Sequence, residues 1–251
     1  MIIEVLMKLC QRGYLKRGKL NLVLGSEEAY KLDQRGTIVN GNKIDLNRLI
    51  GVDVGPESYE LDRQKEIVKV LDKTDLLVDV HATQNPTAEA FMMIPEIRGE
   101  LAYCLKYFGS EILIEGAFNP SGATTETDLY VNALGKLGIT IEAGYRGDPD
   151  IWKVVFGVLA ALQAVGMFDL GIEFAENKVE KHYKTAKGGY VVAGNDFKFT
   201  KKWENFEVVA PNTVFAYNDG IPLSYEEEMI IVFAKDVPVK GAQACLIVYE
   251  V

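Results

Sequence analysis

Histidine is scarce in this sequence, and the 251 residues include two, His81 and His182. There are three cysteines, Cys10, Cys104 and Cys245, which are odd in number and far apart. Such spacing provides neither a disulfide framework nor a cysteine-based metal site, and it favours a reducing compartment. We therefore expect a cytoplasmic protein in which any metal would depend on few imidazole ligands.

Long apolar runs are also missing, since none reaches the roughly 20 residues that a membrane-spanning helix needs. The start of the chain, Met1 to Gln11, contains Glu4 and lacks the basic-then-apolar order of a signal peptide. The formal net charge of −9 has the same sign as nucleic acids and anionic lipids. We therefore expect no nucleic-acid partner and no membrane partner.

Arginine is absent from the C-terminal third, because none follows Arg146. The planar guanidinium group suits bidentate binding of carboxylates, whereas lysine carries a compact, strongly hydrated charge. This distribution weakly favours an anion-binding site in the first two-thirds of the chain, although chance placement also explains it.

Apolar periodicity predicts alternating helices and strands over the first 170 residues. The predicted helices are 1–10, 59–71, 97–108, 124–137 and 150–167, with one further helical turn at 27–30. The candidate caps of the helix 124–137 are Ser121, Thr124 and Thr125. The predicted strands are 19–24, 76–83, 91–94, 111–115 and 138–144. Such alternation indicates an α/β fold with a partly parallel sheet.

From Gly171 onward, short alternating runs separated by Gly, Pro, Asn and Asp predict β-strands instead of helices. We therefore predict an α/β domain over residues 1–170 and a small β domain over residues 171–251.

The segment from Leu76 to Thr83 is the most informative one. Its apolar residues predict a buried strand, and the strand ends in Asp79-Val80-His81-Ala82-Thr83 just before a loop. Strand ends at the edge of an α/β sheet are where such folds place their chemistry. His81 is therefore a candidate ligand, with a structural role at the rim of the core as the alternative. The other histidine, His182, lies in a polar stretch and is predicted to be exposed.

Two further strand-edge motifs offer complementary groups: Asp45-Leu46-Asn47-Arg48 and Ile141-Glu142-Ala143-Gly144. An imidazole, a carboxylate and a guanidinium are the parts that a metal-assisted hydrolase needs. A zinc ion lowers the pKa of bound water, a carboxylate transfers protons, and an arginine anchors an anionic substrate.

Four motifs occur in an order that resembles one known family. They are Asp45 to Arg48, Tyr59-Glu60 with Arg63, Asp79 to Thr83, and Glu142 to Gly144. Together with segments between Trp203 and Ala244, they resemble the succinylglutamate desuccinylase/aspartoacylase family over nearly the whole chain. The members of this family are zinc hydrolases with a carboxypeptidase-like fold. The resemblance therefore implies a zinc cofactor and a mixed sheet flanked by helices.

The resemblance also implies roles for individual residues. His81 would be a zinc ligand, and Glu142 would be the general base that activates water and then protonates the leaving nitrogen. Asn47 and Arg48 would contact the substrate or its carbonyl oxygen, and Arg146 is a further candidate contact for a carboxylate.

Each role has a structural alternative. Glu142 could be a strand-end acid paired with Lys or Arg, and Arg48 could form an ion pair with Asp45 or Asp79. Arg146 could be a surface residue before a helix. Asp79 is expected to support the imidazole or the loop instead of binding metal. Arg35 precedes the Asp-Leu-Asn-Arg motif by ten residues, and its role stays open.

The sequence departs from the family at the other zinc ligands, which lie in a His-x-x-Glu motif that this chain lacks. The start at Met1 falls within a predicted helix, so either an N-terminal segment is missing or the metal has been lost. For the chain as given we expect weak or no zinc binding and little hydrolysis.

The predicted function is zinc-dependent removal of an acyl group from an N-acyl amino acid or a related small carboxylate. The alternative is a catalytically inactive family member that binds a small molecule or a protein. A homo-oligomer is a further expectation, because an incomplete sheet leaves an exposed edge.

Overall fold

The computed structural model describes residues 1–53, 55, 57–83, 89–116, 124–145, 147–148 and 150–251. The α-helices in these ranges are α1 (Ile2–Gln11), α2 (Glu27–Lys31), α3 (Tyr59–Leu71), α4 (Thr127–Ala133) and α5 (Ile151–Ala164). Two 3₁₀ helices span Leu46–Arg48 and Glu100–Tyr107.

The strands of the described residues fall into an N-terminal and a C-terminal group. The first group is β1 (Thr37–Val39), β2 (Asn42–Ile44), β3 (Leu76–Thr83), β4 (Phe91–Ile94), β5 (Ile112–Glu115) and β6 (Leu137–Tyr145). The second group is β7 (Lys181–Val192), β8 (Phe197–Phe199), β9 (Glu207–Val209), β10 (Ala216–Asn218), β11 (Ile221–Leu223), β12 (Met229–Val232) and β13 (Gln243–Glu250).

One mixed sheet joins the two groups. Among the described residues its order is β3-β6-β4-β5-β7-β13-β12-β9, with β3 at one edge. The β3–β6, β4–β5 and β5–β7 pairs are parallel, and the remaining pairs are antiparallel. Strands on both sides of the predicted boundary near residue 170 therefore belong to one sheet. The boundary itself stays a prediction.

Both faces of the central strands are covered, as the alternation of side chains in β4 shows. Met92 and Ile94 pack with α5 in the largest core cluster, whereas Phe91 packs with apolar residues of the C-terminal strands on the opposite face. A smaller cluster brings α3 and α4 together through Ile67 and Val131. The fold is therefore the predicted α/β class, a mixed sheet flanked by helices and followed by a β-rich C-terminal region.

Three predicted elements differ from the structure. Residues 19–24 form no strand, because within the described part of the chain they have no strand partner, although Leu20 and Leu22 pack on the core. Residues 97–108 form only a 3₁₀ helix, and the helix predicted over 124–137 ends at Ala133 because β6 begins at Leu137. No helix in the described ranges is both long enough and apolar enough to span a membrane.

Candidate functional site

The site is built on β3 and β6, which run parallel as neighbours. In their register His81 is opposite Glu142, and Asp79 is opposite Thr140. Paired residues of adjacent parallel strands project to the same side of the sheet, so the two motifs predicted from sequence lie next to each other.

His81 forms an ion pair with Asp79. Its Nε2 lies 3.0 Å from Asp79 Oδ2, and the Thr127 hydroxyl also donates a hydrogen bond to that oxygen. The Asp79 carboxylate raises the pKa of His81 to about 9, more than burial lowers it. Conversely, the imidazolium and the two hydrogen bonds hold the pKa of Asp79 below its ordinary value despite burial. His81 is therefore charged at neutral pH.

Glu142 is a buried carboxyl group with only 7% of its surface exposed. Burial raises its pKa above the ordinary value, while the positive charges of His81, Arg35 and Lys235 act in the opposite direction. A carboxyl group whose pKa is moved toward neutrality can both accept and return a proton, which is the property of a general base.

The Asp-Leu-Asn-Arg motif forms a 3₁₀ helix whose first turn is capped by the Asp45 carboxylate, which accepts from Asn47 N at 3.1 Å. The Asn47 Oδ1 atom accepts a hydrogen bond from Thr127 N at 3.0 Å, at the start of α4. Asn47 thus caps α4 in place of Thr124 or Thr125, and Ser121 lies outside the described residues. The amide nitrogen of Asn47 remains a candidate donor to a ligand.

Arg48 at the end of this motif and Arg35 before it each pair with a carboxylate. Arg48 Nη1 lies 3.1 Å from Glu126 Oε1, and Arg35 Nε lies 2.7 Å from Asp45 Oδ2. The partner of Arg48 is thus neither Asp45 nor Asp79, the two acids suggested by the sequence. Both guanidinium groups stay partly exposed and can reach a further anion.

A large open cavity of about 2750 Å³ connects these groups. Its lining extends from α1 to the C-terminal strands and includes four of the sequence-predicted site residues, Asn47, Arg48, His81 and Glu142. The fifth, Arg146, lies outside the described residues. The edge strand β3 and residues 18–26 form another part of the wall.

Sequence reasoning missed two side chains of this cavity, Tyr190 of β7 and Lys235 of the β12–β13 connection. Burial and the nearby Glu126 raise the pKa of the Tyr190 phenol. Neither residue lies in a motif, and only the pairing of C-terminal strands with β5 brings them to the site. His182, predicted to be exposed, is half-buried in β7, with Nε2 lying 3.2 Å from Glu115 Oε2.

The described residues do not by themselves fit a zinc ion. No group of three or more His, Cys, Asp or Glu side chains within these residues has an arrangement that could hold a metal. The Asp79 carboxylate at His81 Nε2 leaves the other ring nitrogen as the one that could bind a metal, as in imidazole ligands supported by a carboxylate.

Comparison with models of protein families finds no match, and neither does a search among curated proteins. Solved structures do match. A succinylglutamate desuccinylase from Vibrio parahaemolyticus has a TM-score of 0.77 at 18% identity, over 100% of this chain and 77% of that one. The desuccinylase from Vibrio cholerae gives 0.77 at 18% identity, over 99% and 76%.

A third match is the product-bound ectoine utilization protein EutE (DoeB) from Ruegeria pomeroyi, with a TM-score of 0.61 at 16% identity. It covers 89% of this chain and 71% of that one. The chain therefore has the fold of solved succinylglutamate desuccinylases, the fold that its sequence resemblance implies.

Proposed function

We propose that this chain belongs to the desuccinylase/aspartoacylase type of amide hydrolase and removes an acyl group from an N-acyl amino acid or a related small carboxylate. The observation that carries the proposal is the pairing of His81 with Glu142 across two parallel strands that face one cavity. The fold match supports the same reaction class.

Glu142 is the proposed catalytic residue. Its buried carboxylate takes a proton from water, and the resulting hydroxide attacks the amide carbonyl. Glu142 then returns the proton to the leaving nitrogen, so the carboxylate is regenerated. The raised pKa suits the first step, because it makes the carboxylate a stronger base toward water.

Positive charge next to Glu142 serves the developing oxyanion and the substrate. The protonated imidazole of His81 and the guanidinium of Arg48 are the candidate donors to the carbonyl oxygen. The amide nitrogen of Asn47, which has no hydrogen-bond partner among the described residues, is a candidate to orient the same group. Arg146 remains a proposed carboxylate contact on the grounds of its sequence position alone.

Zinc enters as a proposal from the family resemblance, with His81 as one ligand. A bound zinc would lower the pKa of water and polarise the carbonyl. Because the described residues do not make up a ligand set, none of the steps above uses a metal.

The second candidate is a binding module on the same scaffold. The observation that favours it is that the described residues contain no group of three His, Cys, Asp or Glu side chains able to hold a metal. Such a chain would hold a small carboxylate without cleaving it.

One experiment separates the two candidates. The chain is incubated with a panel of N-succinyl and N-acetyl amino acids, with and without zinc, while release of the free amine and ligand binding by calorimetry are both measured. Amine release that disappears in Glu142→Gln supports the hydrolase. Binding without any amine release, with or without zinc, supports the module.

A further inference from the structure

The strand β3 borders the cavity with its backbone edge. Its residues from Leu76 to Thr83 all line the cavity, although alternate side chains of a strand point to opposite faces of the sheet. Consecutive lining residues therefore mean that an edge of β3, and not one of its faces, is open to the cavity. Among the described residues β6 is the one strand that pairs with β3, so this second edge has no strand partner from Leu76 to Ala82.

A second unpaired backbone edge borders the same cavity. Residues 18–26 line it consecutively, and within the described part of the chain the N–H groups of residues 19–24 donate to no backbone carbonyl. Both ends of this segment are held. Lys16 N donates to Met167 O at 2.8 Å, and Arg63 Nη2 donates to Leu24 O at 2.8 Å. The segment thus has the sequence pattern of a strand and a fixed position, but it lacks a neighbouring strand.

Apolar side chains on both sides of this gap are incompletely covered. Every residue of β3 is at least partly exposed, whereas residues 137–144 of its neighbour β6 are all buried. Leu20 and Leu22 of the segment, like Val78 and Val80 of β3, pack on the largest core cluster while remaining only partly buried. A strand between the two edges would cover these side chains and would satisfy the backbone groups on both sides.

The charge at one end of the gap favours an acidic occupant. Lys69 and Lys73 line the cavity just before β3 begins, and neither forms an ion pair among the described residues. Asp75 is the one acid between them and β3 that lines the cavity, so positive charge is in excess there. The start of β3 at Leu76 lies five residues, or about 16 Å, from His81, which separates this end from the candidate catalytic groups.

We propose that the gap between β3 and residues 18–26 binds one extended segment of a partner polypeptide as an added β-strand. The segment would have alternating apolar residues and an acidic residue next to Lys69 and Lys73. In this mode of recognition backbone hydrogen bonds provide affinity, and pockets for alternate side chains provide specificity. The inference is independent of the proposed hydrolase.

A sheet edge of a second copy fits the gap less well. The edge strands β3 and β9 each have one edge already paired within their own sheet. The gap offers a backbone edge on both sides, and an isolated extended segment can use both.

The test uses a synthetic peptide of eight residues, the length of β3, with glutamate at each end, alternating valine and threonine between them, and blocked termini. One matched peptide has lysine in place of glutamate. Another carries methyl groups on alternate backbone nitrogens, which removes the donors along one edge. Fluorescence anisotropy measures binding to the full chain, and hydrogen exchange measures protection of its amides.

We expect the glutamate peptide to bind and to slow amide exchange in both residues 19–24 and residues 76–82. The methylated peptide should bind about tenfold or more weakly, because several backbone hydrogen bonds are lost. The double variant Lys69→Glu, Lys73→Glu should prefer the lysine peptide. Lys65→Glu is the matched control, since Lys65 lies in the same helix but does not line the cavity, and it should keep the preference for glutamate.

The inference fails if the glutamate peptide does not bind at millimolar concentration, if the methylated peptide binds equally well, or if the double variant keeps the preference of the parent chain. Slow exchange at both edges in the chain alone would also overturn it. Protection that is independent of chain concentration would mean that residues 19–24 pair with β3 directly. Protection that increases with chain concentration would assign the gap to a second copy.

Discussion

His81 Nε2 lies 3.0 Å from Asp79 Oδ2, and the same oxygen accepts a hydrogen bond from the Thr127 hydroxyl. This relationship ties the end of β3 to the start of α4. It also fixes the charge of the imidazole, because the pKa of His81 rises from 6.5 to about 9. The ion pair therefore contributes both to stability and to the chemistry of the site.

The first prediction concerns the pH dependence of stability. The folded state binds the His81 proton more tightly than the unfolded state, so the contribution is complete below about pH 6.5 and is lost as the pH rises through about 9. The free energy of unfolding, measured by urea denaturation, should fall over this interval in the parent chain.

His81→Gln should lack that part of the decline, and His182→Gln should retain it. Parallel pH profiles for the parent chain and His81→Gln would show that the ion pair does not stabilise the fold.

The second prediction concerns Asn47, whose Oδ1 atom caps α4. Asn47→Ala should lower the free energy of unfolding by about 1 kcal/mol, because Thr127 N loses its acceptor. Asn47→Asp keeps an oxygen in that position and should cost less. An equal loss in both variants would mean that the cap is not the source of the effect.

The third prediction concerns the contact of β6 with α4 at Gly138. A Cβ atom built there would lie 2.6 Å from Asp128 O and 2.8 Å from Asp128 Cα, both in the backbone of α4. Gly138→Ala should therefore displace α4 and destabilise the chain by about 1–3 kcal/mol. Urea denaturation measures this loss.

Gly25→Ala is the matched control, since its Cβ would make an ordinary contact at 3.4 Å with Leu46 Cδ2. If Gly138→Ala has no more effect than this control, α4 does not pack on β6 as described.

The fourth prediction concerns metal content. Elemental analysis of the purified chain should find zinc well below one atom per chain, because the described residues offer no set of three suitable ligands. One zinc per chain at high occupancy would mean that the ligands lie elsewhere in the sequence. Loss of that zinc in Glu142→Gln would make Glu142 a ligand instead of a proton carrier.

Local periodicity was sufficient to predict several elements closely. The helix Tyr59–Leu71 and the strands Leu76–Thr83 and Phe91–Ile94 follow from apolar spacing. Residues 19–24 have an equally clear alternating pattern, yet a strand also needs a hydrogen-bonding neighbour, and single-sequence patterns do not report neighbours.

The site was predictable where chain order determines proximity. His81 and Glu142 lie opposite each other in the C-terminal halves of adjacent parallel strands, and both were predicted from motifs near strand ends. Arg35 was a candidate without a role until its pairing with Asp45 became visible. Lys235 could not be predicted, because its place depends on the turn at Phe233 and on the pairing of β12 with β13.

The most direct measurement compares amine release from an N-acyl amino acid by the parent chain, Glu142→Gln and Glu115→Gln under identical conditions. The parent chain should hydrolyse slowly. Loss of proton transfer in Glu142→Gln should lower that turnover by a further factor of about 10²–10⁴ with substrate binding retained, whereas Glu115→Gln should retain it. Equal turnover in the parent chain and Glu142→Gln would contradict the assignment of Glu142 as the catalytic base.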